Sequence, residues 1–96
     1  MKRRRIIWSE RAAADLTALK HKIALDKPGA AISFVLKVKS GVARIARFPL
    51  SGRMVLELAR EDTREIVIGN YRVVYKITPT AISIVTVFPA RQLLLM

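Results

Sequence analysis

The sequence predicts an α+β domain with the order β-α-α-β-β-β, a helical hairpin packed on one face of a mainly antiparallel sheet, with residues 1–96 forming a single domain. Three observations carry this reading. The first half holds two apolar stripes of helical period, separated by Asp26-Lys27-Pro28-Gly29. The second half holds three runs of β-branched and aromatic residues, separated by Gly69-Asn70 and Thr78-Pro79-Thr80. A length of 96 residues leaves room for one hydrophobic core and no second module.

Taken in order, Arg4 to Trp8 reads as a short strand. Ser9 follows as an N-cap, and Glu10 sits where the positive end of a helix dipole favours a carboxylate. Ala12, Leu16, Leu19 and Ile23 then recur at spacings of four, three and four, a stripe that faces a core, while Arg11, Asp15 and Lys22 project elsewhere. Pro28 suits the first turn of a second helix, because its missing N–H has no partner to lose there. In that helix Ala31, Phe34, Val38, Val42 and Ile45 share one face, and Lys37, Ser40, Arg44 and Arg47 line up on the other.

Phe48-Pro49 ends the helix, since a residue before proline is pushed out of helical dihedrals, and can seat an aromatic ring over the sheet edge. Four of the seven Asp and Glu residues, Glu57, Glu61, Asp62 and Glu65, fall in the following connector, which reads as solvated and irregular. Their spacing lacks the glycine that a calcium loop needs at its sharp turn. Strands are then expected at Ile66 to Ile68, Tyr71 to Ile77 and Ala81 to Phe88, with Gly69-Asn70 supplying the positive dihedrals of a two-residue hairpin between the first two. In the middle one Tyr71, Val73, Tyr75 and Ile77 point one way and Arg72, Val74 and Lys76 the other.

Lys+Arg 18 against Asp+Glu 7 gives a formal net charge of +11 and a pI near 11.2, so a partner with negative charge is expected. A hydrophobic fraction of 52% in so small a chain leaves apolar surface uncovered, the pattern of a protein-docking face. There is no cysteine, which removes disulfides and thiolate metal sites and fits a reducing, cytoplasmic setting. Lys2-Arg3-Arg4-Arg5 has the charge of a signal-peptide start, but only Ile6, Ile7 and Trp8 follow before Ser9-Glu10-Arg11, so export is not expected. No run approaches the ~20 apolar residues of a membrane span.

Three segments carry a family resemblance: Arg47-Phe48-Pro49-Leu50-Ser51-Gly52-Arg53, the strand-turn-strand from Arg64 to Tyr75 through Gly69-Asn70, and the last strand ending near Arg91. With the Trp8-Ser9-x-x-Ala12 helix start they resemble the ParE/RelE superfamily of plasmid stabilisation toxins, over nearly the whole chain. The resemblance implies a toxin silenced by a co-expressed antitoxin whose C-terminal segment wraps it in a hetero-oligomer. An acidic, flexible antitoxin would meet the basic helix face at Lys37, Arg44 and Arg47 and fold on binding. The ending Leu93-Leu94-Leu95-Met96 could join that surface or pack on its own sheet.

Relatives of the RelE kind cut messenger RNA on the ribosome, and those of the ParE kind inhibit DNA gyrase. Cleaving an RNA phosphodiester without a metal needs a base, an acid and cations around the phosphate. The single histidine, His21, falls opposite the Leu16/Leu19/Ile23 stripe, as a solvated residue. Many relatives carry a histidine at the end of the last strand, where this sequence has Phe88. Arg72, Lys76 and Arg91 are candidate target contacts. Arg64, Arg72 and Arg91 would form the site if the chain were instead a ribonuclease, although a guanidinium stays protonated and makes a poor base. Within that resemblance the shortage of acid and base groups favours the ParE-like reading, with no catalytic residue or cofactor and with gyrase as the target that the resemblance implies, ahead of a ribosome-dependent ribonuclease. A non-specific nucleic-acid-binding domain ranks last, because clustered exposed aromatics are missing.

Overall fold

The computed structural model describes residues 3–92. Strand β1 (Arg5–Trp8) leads into helices α1 (Glu10–Asp26) and α2 (Pro28–Arg47); a 3-10 turn (Pro49–Ser51) follows, then β2 (Arg53–Met54), β3 (Thr63–Ile68), β4 (Tyr71–Ile77) and β5 (Ala81–Pro89). The five strands form one sheet in the order β1-β5-β4-β3-β2. β1 runs parallel to β5, and the other three pairings are antiparallel. The architecture is the α+β hairpin-on-sheet expected from the sequence, with one short strand, β2, that the sequence reading did not contain.

The helix boundaries follow the local chemistry. Ala12 N–H donates to Ser9 Oγ at 2.9 Å, the expected cap, and Ser9 Oγ itself donates to Val85 O at 3.0 Å. Pro28 opens α2, and Arg44 and Arg47 lie in its last turn, where cations complement the dipole. The apolar stripes pack as their periods require. Ala12, Phe34, Val38, Val42 and Ile45 are buried against Val73, Tyr75, Ile82, Ile84 and Val87 of the sheet, with Leu16, Leu19 and Ile23 packed around them. Removing a side chain such as Ile45 or Ile82 from water stabilises the fold by about 1.5–3 kcal/mol.

Three local expectations are corrected. The connector after α2 is not irregular as far as Glu65: β3 begins at Thr63, and Glu65 is buried. Asp15 does not point away from the fold, because Thr86 Oγ1 donates to its Oδ2 at 2.5 Å and Val87 N–H donates to the same oxygen at 3.1 Å. At the hairpin turn only Gly69 has a positive φ, +59°, so Gly69-Asn70 matches a type II′ pattern and does not use left-handed dihedrals at both positions.

The face of the sheet away from the helices is half covered. Residues 55–62 fold across it, and Val55 packs with Val74, Phe88, Leu58 and Val85 in a second small core. Toward β1 the same face stays open at Ile7 and Lys76.

Candidate functional site

Arg72 stands on β4 beneath the 55–62 segment, and its whole guanidinium is engaged. Nε donates to Glu65 Oε1 at 2.7 Å, Nη1 to Glu57 Oε2 at 2.8 Å and to Gln92 O at 2.9 Å, and Nη2 to Glu57 Oε1 at 2.8 Å. Nη2 also lies 2.6 Å from Glu65 Oε1, and Cζ sits 4.7 Å from the centre of the Phe88 ring. Glu65 is shared with Arg53, whose Nε donates to its Oε2 at 2.7 Å. The two carboxylates raise the Arg72 pKa further above its ordinary value, the Glu57 hydrogen bonds most strongly, against the opposing effect of burial.

The Arg72 side chain is only 6% exposed, so the target contact or phosphate clamp expected of it lies behind its own ion pairs. It joins β4 to β3, to the 55–62 segment and to the chain after β5. The connector carboxylates are likewise not simply solvated: Glu57 and Glu65 hold Arg72, and Asp62 accepts from Arg60 at 3.2 Å and from Thr63 at 3.1 Å. The Arg60 hydrogen bond is the main reason that the Asp62 carboxyl lies below its usual range.

Tyr75 is fully buried on the helix side. Its hydroxyl donates to Pro49 O at 2.6 Å and accepts from Gly52 N–H at 3.0 Å, tying β4 to the turn after α2. Burial pushes its pKa up, with the Gly52 donor acting in the opposite sense. Gly52 is required there, because a Cβ would lie 2.3 Å from the tyrosine hydroxyl. Phe48, expected to seat its ring over the sheet edge, is instead 51% exposed, and Pro49 is the buried member of the pair.

The other named cations stay at the surface. Lys76 is exposed on the open face, next to Asp62. Arg64 turns to the edge and donates to Glu61 O and Gly52 O. Arg91 lines a cleft between α1 and the β3–β4 turn. Lys37 and Arg44 line another, between α2 and β3, with Gly41, Val67 and Ile68. Arg47 lies beyond it, its Cζ 5.9 Å from the Phe48 ring centre. The structure thus brings Lys37 and Arg44 together along one groove and separates Arg64, Lys76 and Arg91 into three environments. His21 is exposed on α1.

β2 pairs only with Arg64 and Glu65, so among the described residues the outer edge of β3 from Ile66 to Ile68 carries no strand. This open edge borders the Lys37/Arg44 cleft. Among the described residues Lys37 and Arg44 make no ion pair. Exposed Ile32, Leu36, Leu50 and Leu56 add uncovered apolar surface. The ending Leu93 to Met96 lies outside the described residues.

The chain belongs to the ParE toxin family of type II toxin–antitoxin systems, parDE, whose family model matches residues 6–94. It is 31% identical over 88 residues to Toxin RelE2 of Caulobacter vibrioides, covering 92% of this chain and 97% of that protein. Its fold superposes on a chain of the chromosomal ParDE system from P. aeruginosa with a TM-score of 0.76 at 16% identity, over 92% of this chain and 97% of that one. A chain of the toxin–antitoxin complex RelBE2 from Mycobacterium tuberculosis gives a TM-score of 0.59 at 24% identity, over 92% and 99%.

Proposed function

We propose that this toxin acts by binding DNA gyrase, breaking no bond itself, and that an acidic antitoxin silences it along the α2–β3 cleft. The observation that carries the non-catalytic reading is the Arg72 network. The arginine best placed on the sheet for holding a phosphate is saturated by Glu57, Glu65 and Gln92 O, and Phe88 packs over it where many relatives have histidine. Tyr75 offers no substitute, because its proton is held by Pro49 O and burial disfavours the phenolate. Exposed cations remain, at Lys76 and Arg91, and these are the target contacts of the proposal. Arg72 supports the surface that they flank. Gyrase as the target follows the ParE side of the family.

The antitoxin reading rests on charge and on an unfinished edge. An acidic segment that orders on binding finds Lys37 and Arg44 without an ion-pair partner among the described residues and, beside them, a strand edge at Ile66 to Ile68 that no described strand covers. Arg47 and exposed Phe48 extend that surface past the end of α2. The pair would work in the cytoplasm, where gyrase and the ribosome both are.

The similarity to Toxin RelE2 motivates the second reading, cleavage of ribosome-bound message with Arg64 and Arg91 at the phosphate. Assaying the purified chain side by side on gyrase supercoiling and on programmed ribosomes separates the two. Inhibited supercoiling with intact message is the expected result; cut message with unaffected gyrase reverses the assignment.

A further inference from the structure

Lys22, near the end of α1, and Arg91, just beyond β5, meet at one cleft of about 440 Å³. Its wall includes Asn70 of the hairpin turn and Tyr71 at the start of β4. The parts are fixed relative to one another. Ala90 N–H donates to Asn70 O at 2.7 Å, which ties the segment carrying Arg91 to the turn. The Tyr71 ring rests on Phe34, with centroids 4.8 Å apart and planes tilted by 54°.

As in the groove at Lys37 and Arg44, no carboxylate lines this cleft, and among the described residues neither Lys22 nor Arg91 has an ion-pair partner. The make-up of its wall sets it apart. Lys22, Asn70, Tyr71 and Arg91 give its wall four polar side chains, whereas the wall beside α2 is made mainly by Ile23, Ala30, Phe34 and Ile68 and the hollow at Phe48 to Ser51 by Phe48, Pro49, Leu50 and Ile77. A wrapping peptide brings apolar side chains and suits those apolar hollows. A sugar–phosphate unit brings a compact anion with neutral polar neighbours and suits this one.

We propose that the Lys22/Arg91 cleft binds a phosphodiester of a nucleic-acid backbone. The Arg91 guanidinium supplies a fork matched to two phosphate oxygens, Lys22 a point charge from the facing helix, and the Asn70 amide an uncharged donor. The contact is independent of sequence, since it reads the backbone and no base edge. A toxin placed against an enzyme that carries DNA would gain affinity from it, but the site stands whether or not gyrase is the target.

The test is binding of a fluorescently labelled DNA duplex by the full chain across a salt series, with a polyglutamate peptide as the second probe. Lys22 and Arg91 are exposed, so Lys22→Gln/Arg91→Gln should keep the far-ultraviolet circular dichroism of the parent. The double variant should bind duplex about tenfold or more weakly, and the slope of log affinity against log salt should fall by about 2. Lys37→Gln/Arg44→Gln, a control of equal charge change, should leave most of the duplex affinity in place. An unchanged slope in the Lys22/Arg91 variant overturns the proposal. So does an equal loss in both variants, which would mark diffuse charge, or a loss confined to polyglutamate, which would mark an acidic-protein site.

Discussion

Arg72 and Glu57 meet end on, with Nη1 and Nη2 each 2.8 Å from a separate carboxylate oxygen. One side chain comes from β4 and the other from the segment that crosses the sheet, so this pair pins the crossing segment in place. With Glu65 and Arg53 it forms an alternating chain of charges, Arg53–Glu65–Arg72–Glu57, in which no buried charge is left without an opposite neighbour. Desolvating such charges is costly, and the geometry compensates only while every member is present.

Removing one member is therefore the severe change. Arg72→Ala leaves Glu65, whose side chain is 3% exposed, facing a void, and should lower the unfolding free energy by about 3–5 kcal/mol. Glu57→Gln keeps hydrogen-bonding capacity at a more exposed position and should cost about 1–2 kcal/mol. Urea unfolding of the two variants checks the order. Arg72→Ala is for the same reason a poor probe of catalysis, because lost activity would follow lost structure.

Tyr75 makes the protein sensitive to alkali. Its pKa is raised in the folded chain above the ordinary value of 10.0, so its contribution is complete below about pH 10 and is lost as pH rises through the raised value. Absorbance titration at high pH should show the Tyr75 phenolate appearing together with unfolding. Tyr75→Phe removes that coupling, and it leaves Pro49 O and Gly52 N–H without their partner, costing about 1–3 kcal/mol at neutral pH.

Ala59 is the only non-glycine with a positive φ among the described residues, at +50°, in the turn where its N–H donates to Val55 O at 2.9 Å. A Cβ in that conformation costs roughly 1–2 kcal/mol, part of which glycine returns as chain entropy. Ala59→Gly should raise stability by about 0.5–1 kcal/mol, seen as a higher thermal midpoint.

Asp15 fastens α1 to the strand at the point where β1 ends. β1 pairs with β5 only as far as Ile84, and Asp15 takes over two residues later at Thr86 and Val87. Asp15→Ala strands a buried hydroxyl and a backbone N–H and should cost about 2–4 kcal/mol by chemical denaturation. Asp15→Asn, which keeps one acceptor oxygen, should cost distinctly less.

The elements legible in the sequence are those set by local chemistry. The Ser9 cap, the break at Pro28 and the stripe from Ala31 to Ile45 depend on neighbours a few residues away, and all three lie where their residues place them. Asp15 and Glu65 are not legible because each is held by a partner on another element, Thr86 for the first and Arg72 and Arg53 for the second. Helical phasing or an acidic composition carries no trace of such a partner. Arg72 was placed on the correct face of β4, but alternation along a strand cannot show that residues 55–62 close over that face. The cleft cations Lys37 and Arg44 were legible because a helix face needs no distant information. Lys22 was visible only as a residue turned away from the stripe, since the cleft that it shares with Arg91 is made by the tertiary fold.

The central claim is that the charges beneath residues 55–62 hold the fold and make no contact in the toxic act. Replacing them together by apolar residues of similar size, Glu57→Leu, Glu65→Leu and Arg72→Met, leaves no buried charge unpaired and is compatible with a folded chain. Gyrase inhibition by that triple variant, compared with the parent once circular dichroism and unfolding show it native, is the most direct measurement. Inhibition within about threefold of the parent is the expected result, whereas a folded triple variant that no longer inhibits would contradict the account.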